Sequence, residues 1–200
     1  ACAALAQDAD AVVASVHYRR APESPYPAPN DDAYAALAWV AEHAEALAVD
    51  RARIAVAGDS AGAHLAIGCA IEGRERGGPA IAFQLLVYPV VEPAFDTASY
   101  LAHASSPTLT RDDMIWYWRQ YLPEGADDCS ARAVPTRDSL AGLPRAHVVV
   151  ARRILESGAR FCPHYLGGGV GLLASAHLLA AAGGDAGRRP RQDLGLGVVG

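Results

Sequence analysis

Ser60 stands between two glycines in the stretch RIAVAGDSAGAHLAIG, residues 53–68. An apolar run ends at Gly58, and an apolar run with helical character follows the serine. A G-x-S-x-G motif at a strand-to-helix turn projects the serine hydroxyl above the edge of a sheet, where a nucleophile can act. The sequence therefore predicts that Ser60 is a nucleophile. The alternative interpretation is a glycine-rich turn that carries an exposed serine.

The neighbours of Ser60 suit the same chemistry. Gly58 and Gly62 allow a strained turn, because a Cβ atom at either position would clash. Ala61 opens the following helix, so its backbone N–H is a predicted oxyanion donor. The positive end of that helix dipole also favours negative charge that develops beside the serine.

Alternating apolar runs predict the elements that must position this turn. Each predicted strand is apolar throughout, which indicates a mostly parallel sheet with helices on both faces, an α/β fold. Asn30 or Asp31 is expected to cap the first helix, and Thr110 with Asp113 forms an acidic variant of the capping box. The predicted strands are 11–17, 53–58, 80–90 and 146–151, and the predicted helices are 31–47, 61–75 and 110–122.

Composition excludes several classes of function. The 200 residues are 52% hydrophobic with a net charge of −5, so a globular domain is expected and a nucleic-acid partner is not. No run of about 18 apolar residues exists, which predicts no membrane span. No cluster has metal-ligand spacing, and no cofactor is predicted. Four scattered cysteines indicate thiols in a reducing, cytoplasmic compartment: Cys2, Cys69, Cys129 and Cys162.

The character of the chain changes after residue 151. The last 50 residues hold 11 of the 19 glycines and six arginines against three acidic residues. All 17 basic residues of the chain are arginine, which suggests a GC-rich coding sequence. A change of reading frame in such DNA would produce this composition. We therefore predict a core fragment at 1–151 and a divergent Gly/Arg-rich tail at 152–200.

Two segments carry a family resemblance, GDSAGAHLA and VHYRRAPESPYPAPNDDAYAALAWV. Together they resemble the hormone-sensitive-lipase-like esterases, the GDSAG branch of the α/β-hydrolases. Arg20 departs from the family pattern, which has leucine at that position. The resemblance extends over about residues 2–151. The matching upstream residues are Tyr18, Arg19, Ala21, Pro22, Glu23, Pro27, Asp32 and Trp39.

The resemblance implies a partial α/β-hydrolase fold and a serine hydrolase of carboxylic esters with short to medium acyl chains. Ser60 would form the acyl-enzyme. The region of Trp116, Tyr117 and Trp118 corresponds to one that the family uses near the acyl pocket, although core packing explains these aromatic residues equally well. The expected partner is a small-molecule ester, and a homo-oligomer is compatible with the sequence.

The resemblance also implies parts that the sequence does not supply. An H-G-G-G loop belongs ahead of Ala1, so the chain is expected to be N-terminally truncated. The triad acid belongs directly after residue 151, where Arg152 and Arg153 stand and Glu156 is displaced. His177 has suitable spacing for the triad base but is predicted to lie in a buried helix, and His64 is predicted to be a packing residue. Neither the acid nor the base is identified.

Two interpretations of function have sequence features in their favour, and a third, a peptidase or amidase on the same fold, has none. The first is an esterase whose activity in this chain depends on the missing parts. The second is a non-catalytic α/β-hydrolase relative that binds a small ligand in the same pocket. The retained nucleophile turn favours the first, since a binding protein has less need of a strained serine.

Overall fold

A computed structural model describes residues 2–122, 130–135 and 140–149, together with the backbone of 176–182. Helices and strands alternate along most of this chain. The elements are α1 (Cys2–Ala9), β1 (Ala11–Val16), α2 (Ala28–Glu42), β2 (Val49–Asp59), α3 (Ala61–Arg76), β3 (Phe83–Val87), α4 (Ala98–Ala102), α5 (Arg111–Tyr121), β4 (Ala146–Val149) and β5 (Ala176–Ala182).

The five described strands form one sheet in the order β1-β5-β2-β3-β4. β2 pairs in parallel with β3, and β3 with β4. β5 is antiparallel to both β1 and β2, so β1 points in the same direction as β2. Four of these five strands therefore run the same way, and the predicted mostly parallel α/β sheet is confirmed.

The core lies around β2 and α3. Five consecutive residues of β2, Ile54 to Gly58, are buried, which requires cover on both faces of the sheet. α3 is buried from Gly62 to Gly73 and packs against both β2 and α2. A second, smaller cluster of Met114, Trp118, Ala133 and Val134 lies beneath α5.

The start of α2 corrects one prediction. The helix begins at Ala28, and its N-cap is Pro27, which makes no side-chain capping bond. Proline is tolerated in the first helical turn, where the missing N–H costs little, so the helix starts before Asn30 and Asp31. Asn30 is buried and makes tertiary hydrogen bonds instead of capping the helix.

The backbone of β5 corrects a second prediction. The segment around His177 was expected to be a helix, but it forms a strand between β1 and β2. A continuous apolar run of this length fits a buried strand as well as a helix, and pairing with two neighbours favours the strand. Glu156, Arg152 and Arg153 lie outside the described residues.

The predicted helix cap of α5 is confirmed. The capping box at α5 is present, since Thr110 and Asp113 bond each other's backbone N–H groups. Cys69 is buried, and burial raises the pKa of its thiol to about 12. Among the described residues, no helix has the length and apolar character needed to cross a membrane.

Candidate active site

Ser60 lies at the sharp turn between β2 and α3. Its φ is 52° and its ψ is −119°, a backbone conformation that is costly for a residue with a Cβ atom. Serine at a helix N-cap usually accepts a bond from the first turn, but the Ser60 side chain does not cap α3. The backbone N–H of Ser60 donates to the Val87 carbonyl at 2.9 Å, which anchors the turn to β3.

Glycine is required beneath this turn. A Cβ atom on Gly58 would lie 2.2 Å from the carbonyl carbon of Gly62 and 2.6 Å from the Ala63 nitrogen. These are backbone atoms, so no side-chain rotation could relieve the overlap. The close approach of β2 and α3 lets the chain reverse at Ser60.

Ala61 occupies the first position of α3, where backbone N–H groups have no partner within the helix. None of the described residues accepts a hydrogen bond from the Ala61 N–H. The N–H group and the helix dipole therefore both favour an anion beside Ser60.

A cavity of about 140 Å³ opens over Ser60 and Ala61. Its wall is mostly apolar and aromatic, and α5 supplies much of it. The described lining residues are Tyr18, Arg20, Ala21, Pro29, Ser60, Ala61, His64, Leu65, Val90, Leu109, Met114, Trp116, Tyr117, Trp118, Gln120 and Tyr121.

The aromatic residues of α5 have both of the roles that the sequence left open, which are packing in the core and lining a pocket. Trp118 is 7% exposed, packs in the cluster beneath α5, and meets the His64 ring edge-to-face. Trp116 is 41% exposed and packs against the Tyr117 ring. All three residues line the cavity, so one helix supplies both core packing and a site wall.

A chain of polar contacts ties α5 to α3 and α2. His64 Nδ1 lies 2.7 Å from the Val90 carbonyl, and Nε2 lies 3.1 Å from the Tyr121 hydroxyl. The Tyr121 hydroxyl donates to Asn30 Oδ1 at 2.6 Å, and Asn30 Nδ2 donates to the Arg132 carbonyl at 3.1 Å. This chain of contacts, from Val90 to Arg132, fixes the back wall of the cavity.

His64 is a packing residue, as the sequence predicted. Burial lowers the pKa of its imidazole to about 4, while the bond to the Val90 carbonyl acts in the opposite direction. The ring is therefore neutral at pH 7, with Nδ1 donating to that carbonyl. Nδ1 is bonded to the Val90 carbonyl, Nε2 lies against the Tyr121 hydroxyl, and neither nitrogen hydrogen-bonds Ser60, so His64 does not serve it as a general base.

α3 also carries a buried carboxylate that is not among the described lining residues of the cavity. Glu72 is 2% exposed and pairs with Arg132 at 2.5 Å and with Arg76 at 2.8 Å. Arg132 also reaches Asp31 at 3.2 Å. Sequence reasoning missed this cluster and the Asn30–Tyr121 bond, because each joins residues from distant parts of the chain. The one sequence signal for this cluster was Glu72 itself, a charged residue within the apolar sequence of α3.

Two adjacent arginines behave differently near the cavity. Arg19 binds Asp32 through its side chain at 2.7 and 2.9 Å and through its backbone N–H at 2.8 Å. These bonds lower the pKa of the Asp32 carboxyl. Arg20 lines the cavity and makes no ion pair with any described residue.

The described side chains do not complete a triad around Ser60, since none of them hydrogen-bonds its hydroxyl. The backbone register sets His177 opposite Ala57 of β2, three residues before Ser60. Glu156 lies outside the described residues. The part of the chain that the structure describes also holds no cluster of three or more potential metal ligands.

Comparison with known proteins identifies the family. A family model for the alpha/beta hydrolase fold matches residues 1–161. Carboxylesterase NlhH of Mycobacterium tuberculosis is 40% identical over 174 residues, which cover 84% of this chain and 54% of that protein. Esterase LipI of the same organism is 39% identical over 203 residues, which cover 100% of this chain and 59% of LipI.

Solved structures agree with this result. A bacterial heroin esterase superposes with a TM-score of 0.63 at 35% identity, covering 71% of this chain and 51% of the esterase. The chain therefore belongs to the α/β-hydrolase family. Within it, the resemblance to the hormone-sensitive-lipase-like esterases is confirmed. The chain spans little more than half the length of these relatives.

Proposed function

We propose that Ser60 is the nucleophile of a serine carboxylesterase that acts on esters with short to medium acyl chains. One observation carries the proposal: the serine has a positive φ, does not cap its helix, and borders an apolar cavity. An ordinary N-cap serine would use its oxygen within the helix. A strained serine whose hydroxyl is left for the cavity is the arrangement that nucleophilic attack requires.

The chemistry follows from the groups around Ser60. Its Oγ adds to the ester carbonyl carbon, and negative charge collects on the carbonyl oxygen. The Ala61 N–H and the N-terminus of α3 stabilise that charge. The alcohol leaves with a proton, which forms the acyl-enzyme, and water then releases the acid and restores the serine.

A general base has to accept the Ser60 proton, and we propose that it comes from outside the described side chains. His64 is excluded by its contacts and its lowered pKa. We propose that Gly58 and Gly62 allow the tight turn and that the Ala61 backbone N–H stabilises the oxyanion. We propose that residues 1–151 form the hydrolase core and that the tail at 152–200 adds β5 to its sheet. The family match over residues 1–161 supports a core of about this extent.

The size and surface of the cavity support a small ester as the substrate. About 140 Å³ is small beside the roughly 300–1,000 Å³ of pockets for drug-sized ligands. The aromatic wall from α5 suits an acyl chain of a few carbons, since much of its surface is apolar. The names of two relatives, a carboxylesterase and an esterase, support an ester as the substrate.

A fluorophosphonate probe tests the proposal, because it labels only an activated serine. We expect covalent labelling of the chain and loss of labelling in Ser60→Ala. Ser105→Ala is the matched control, since Ser105 is an exposed serine away from the cavity and its loss should change nothing. Hydrolysis of p-nitrophenyl butyrate should fall about 10³-fold or more in Ser60→Ala.

Folded protein that is not labelled would contradict the proposal. Circular dichroism and a cooperative unfolding transition establish the folded state before the probe is added. An unlabelled but folded chain would favour the second interpretation, a relative that binds a small ligand without turning it over.

A further inference from the structure

We propose that Arg20 binds a carboxylate on the substrate, so that the site selects esters that also carry an anionic group. Half-esters of short dicarboxylic acids are the chemical class that fits. The inference deepens the proposed function and rests on it for the identity of the ligand as an ester. It is carried by the position of Arg20 and by its lack of a partner among the described residues.

Charge in the cavity is concentrated at Arg20. Of the described residues that line it, Arg20 alone is charged at neutral pH, because burial keeps His64 neutral. The remaining lining is aliphatic, aromatic or uncharged and polar. Arg20 is exposed at the rim of this lining, and its guanidinium can bind a carboxylate with two parallel hydrogen bonds.

No acidic residue in the part of the chain that the structure describes forms an ion pair with Arg20. Arg19, its neighbour, is fully paired by Asp32, whereas no described carboxylate lies within ion-pair distance of Arg20. Burial raises the pKa of the Tyr18 hydroxyl, the charge of Asp59 acts in the same direction, and the charge of Arg20 acts in the opposite direction. Asp59 is not among the cavity-lining residues.

The sheet register places Arg20 and Ser60 beyond the same edge of the sheet. Val16 of β1 and Gly58 of β2 both pair with Ala176 of β5, so they lie on one row across the sheet. Two strand spacings separate β1 from β2, which is about 10 Å. Ser60 follows Gly58 by two residues and Arg20 follows Val16 by four, so both leave the sheet at the same edge.

A short bifunctional substrate can contact both residues, because Arg20 and Ser60 line one cavity of about 140 Å³. The ester carbonyl would then lie at Ser60 while the carboxylate lies at Arg20. A neutral ester of the same length would leave the guanidinium with water alone.

A binding experiment tests this without requiring turnover. In the Ser60→Ala background, ligand-observed NMR titrations measure the Kd of monomethyl glutarate and of methyl pentanoate, which have the same acyl length and differ in the carboxylate. We expect the half-ester to bind about tenfold more tightly. In Arg20→Leu the ratio should fall to about one, and in Arg20→Lys part of it should remain.

Arg51→Gln is the matched control, because Arg51 is exposed at the opposite end of β2 and does not line the cavity. The preference should persist in that variant and should weaken in 0.5 M NaCl, which screens partly exposed charges. Equal Kd values for the two ligands, or a preference unchanged in Arg20→Leu, would overturn the inference. Thermal melts confirm that each variant is folded.

The two proposals fail in distinguishable ways. If fluorophosphonate does not label the chain but the tenfold preference for the carboxylate remains, the esterase proposal is contradicted and Arg20 is supported as an anion-binding residue. Labelling of Ser60 without any carboxylate preference would keep the esterase and remove the role of Arg20.

Discussion

The turn at Ser60 and the α5 wall bound the same cavity but are built in different ways. The turn uses Gly58, Ser60 and Gly62, which are neighbours in sequence and are held by backbone geometry. The wall depends on bonds between residues far apart, such as Tyr121 to Asn30, 91 positions away. The geometry of the turn at Ser60 is therefore a local property, whereas the shape of the pocket is a tertiary one.

The two regions should also respond differently to substitution. Steric overlap at the turn involves backbone atoms, which cannot move without displacing β2 or α3 from the core. The wall is held by a few polar contacts, so the loss of one loosens the wall and leaves the core packed. The predictions that follow separate these responses, beginning with the largest.

Gly58→Ala should cause the greatest loss of stability. The new Cβ atom would lie 2.2 Å from the Gly62 carbonyl carbon, so we expect a cost of at least about 3 kcal/mol in the free energy of unfolding. Urea denaturation monitored by circular dichroism measures it. The change also displaces the turn, so fluorophosphonate labelling of Ser60 should disappear.

Gly73→Ala is the matched control in the same region. Gly73 lies within α3, and a Cβ atom there would be 3.6 Å from the nearest atom, the Pro79 carbonyl oxygen. Alanine favours helix over glycine, so this variant should gain about 0.5 to 1 kcal/mol. If Gly58→Ala lowers the free energy of unfolding no more than Gly73→Ala does, then the turn at Ser60 is less tight than described.

Sequence patterns predict the local region well for a physical reason. The apolar run of β2, the glycines and the helix start of α3 are each recognisable within about 16 consecutive residues, and steric rules fix their geometry. The capping box of Thr110 and Asp113 is predictable for the same reason, because both partners lie within one helical turn.

Tertiary contacts explain what sequence patterns do not predict. Asparagine often caps helices, but the side-chain amide of Asn30 accepts a hydrogen bond from the Tyr121 hydroxyl and donates one to the Arg132 carbonyl. The segment of His177 has a pattern that suits a helix or a strand, and backbone pairing with β1 and β2 on its two sides favours the strand. The roles of Ser60 and Ala61, the triad acid and the triad base stay predictions.

The His64 imidazole should make stability depend on pH between about 4 and 6.5. Its folded pKa of about 4 is below the ordinary value of 6.5, so the unfolded chain binds the proton more readily in this window. The stabilising contribution is therefore complete above pH 6.5 and is lost as pH falls to 4. The loss should be on the order of 3 kcal/mol.

Denaturation of wild type and His64→Asn across pH 4–7 measures this contribution. The variant should lose less stability on acidification, since asparagine does not titrate and can still donate to the Val90 carbonyl. His43→Asn is the control, because His43 is exposed and stacks on Trp39. Parallel pH profiles for wild type and His64→Asn would contradict a neutral, buried His64.

Tyr121→Phe should give the smallest of these effects and the one most confined to the wall. It removes the hydroxyl between His64 Nε2 and Asn30 Oδ1 and leaves the buried Asn30 oxygen without that donor. We expect a cost of about 2 kcal/mol by urea denaturation, with fluorophosphonate labelling of Ser60 retained. Tyr117→Phe, on the same helix, should change stability by less than about 0.5 kcal/mol. Because the turn does not depend on the Tyr121 hydroxyl, loss of labelling in a folded Tyr121→Phe would mean that the two regions act as one.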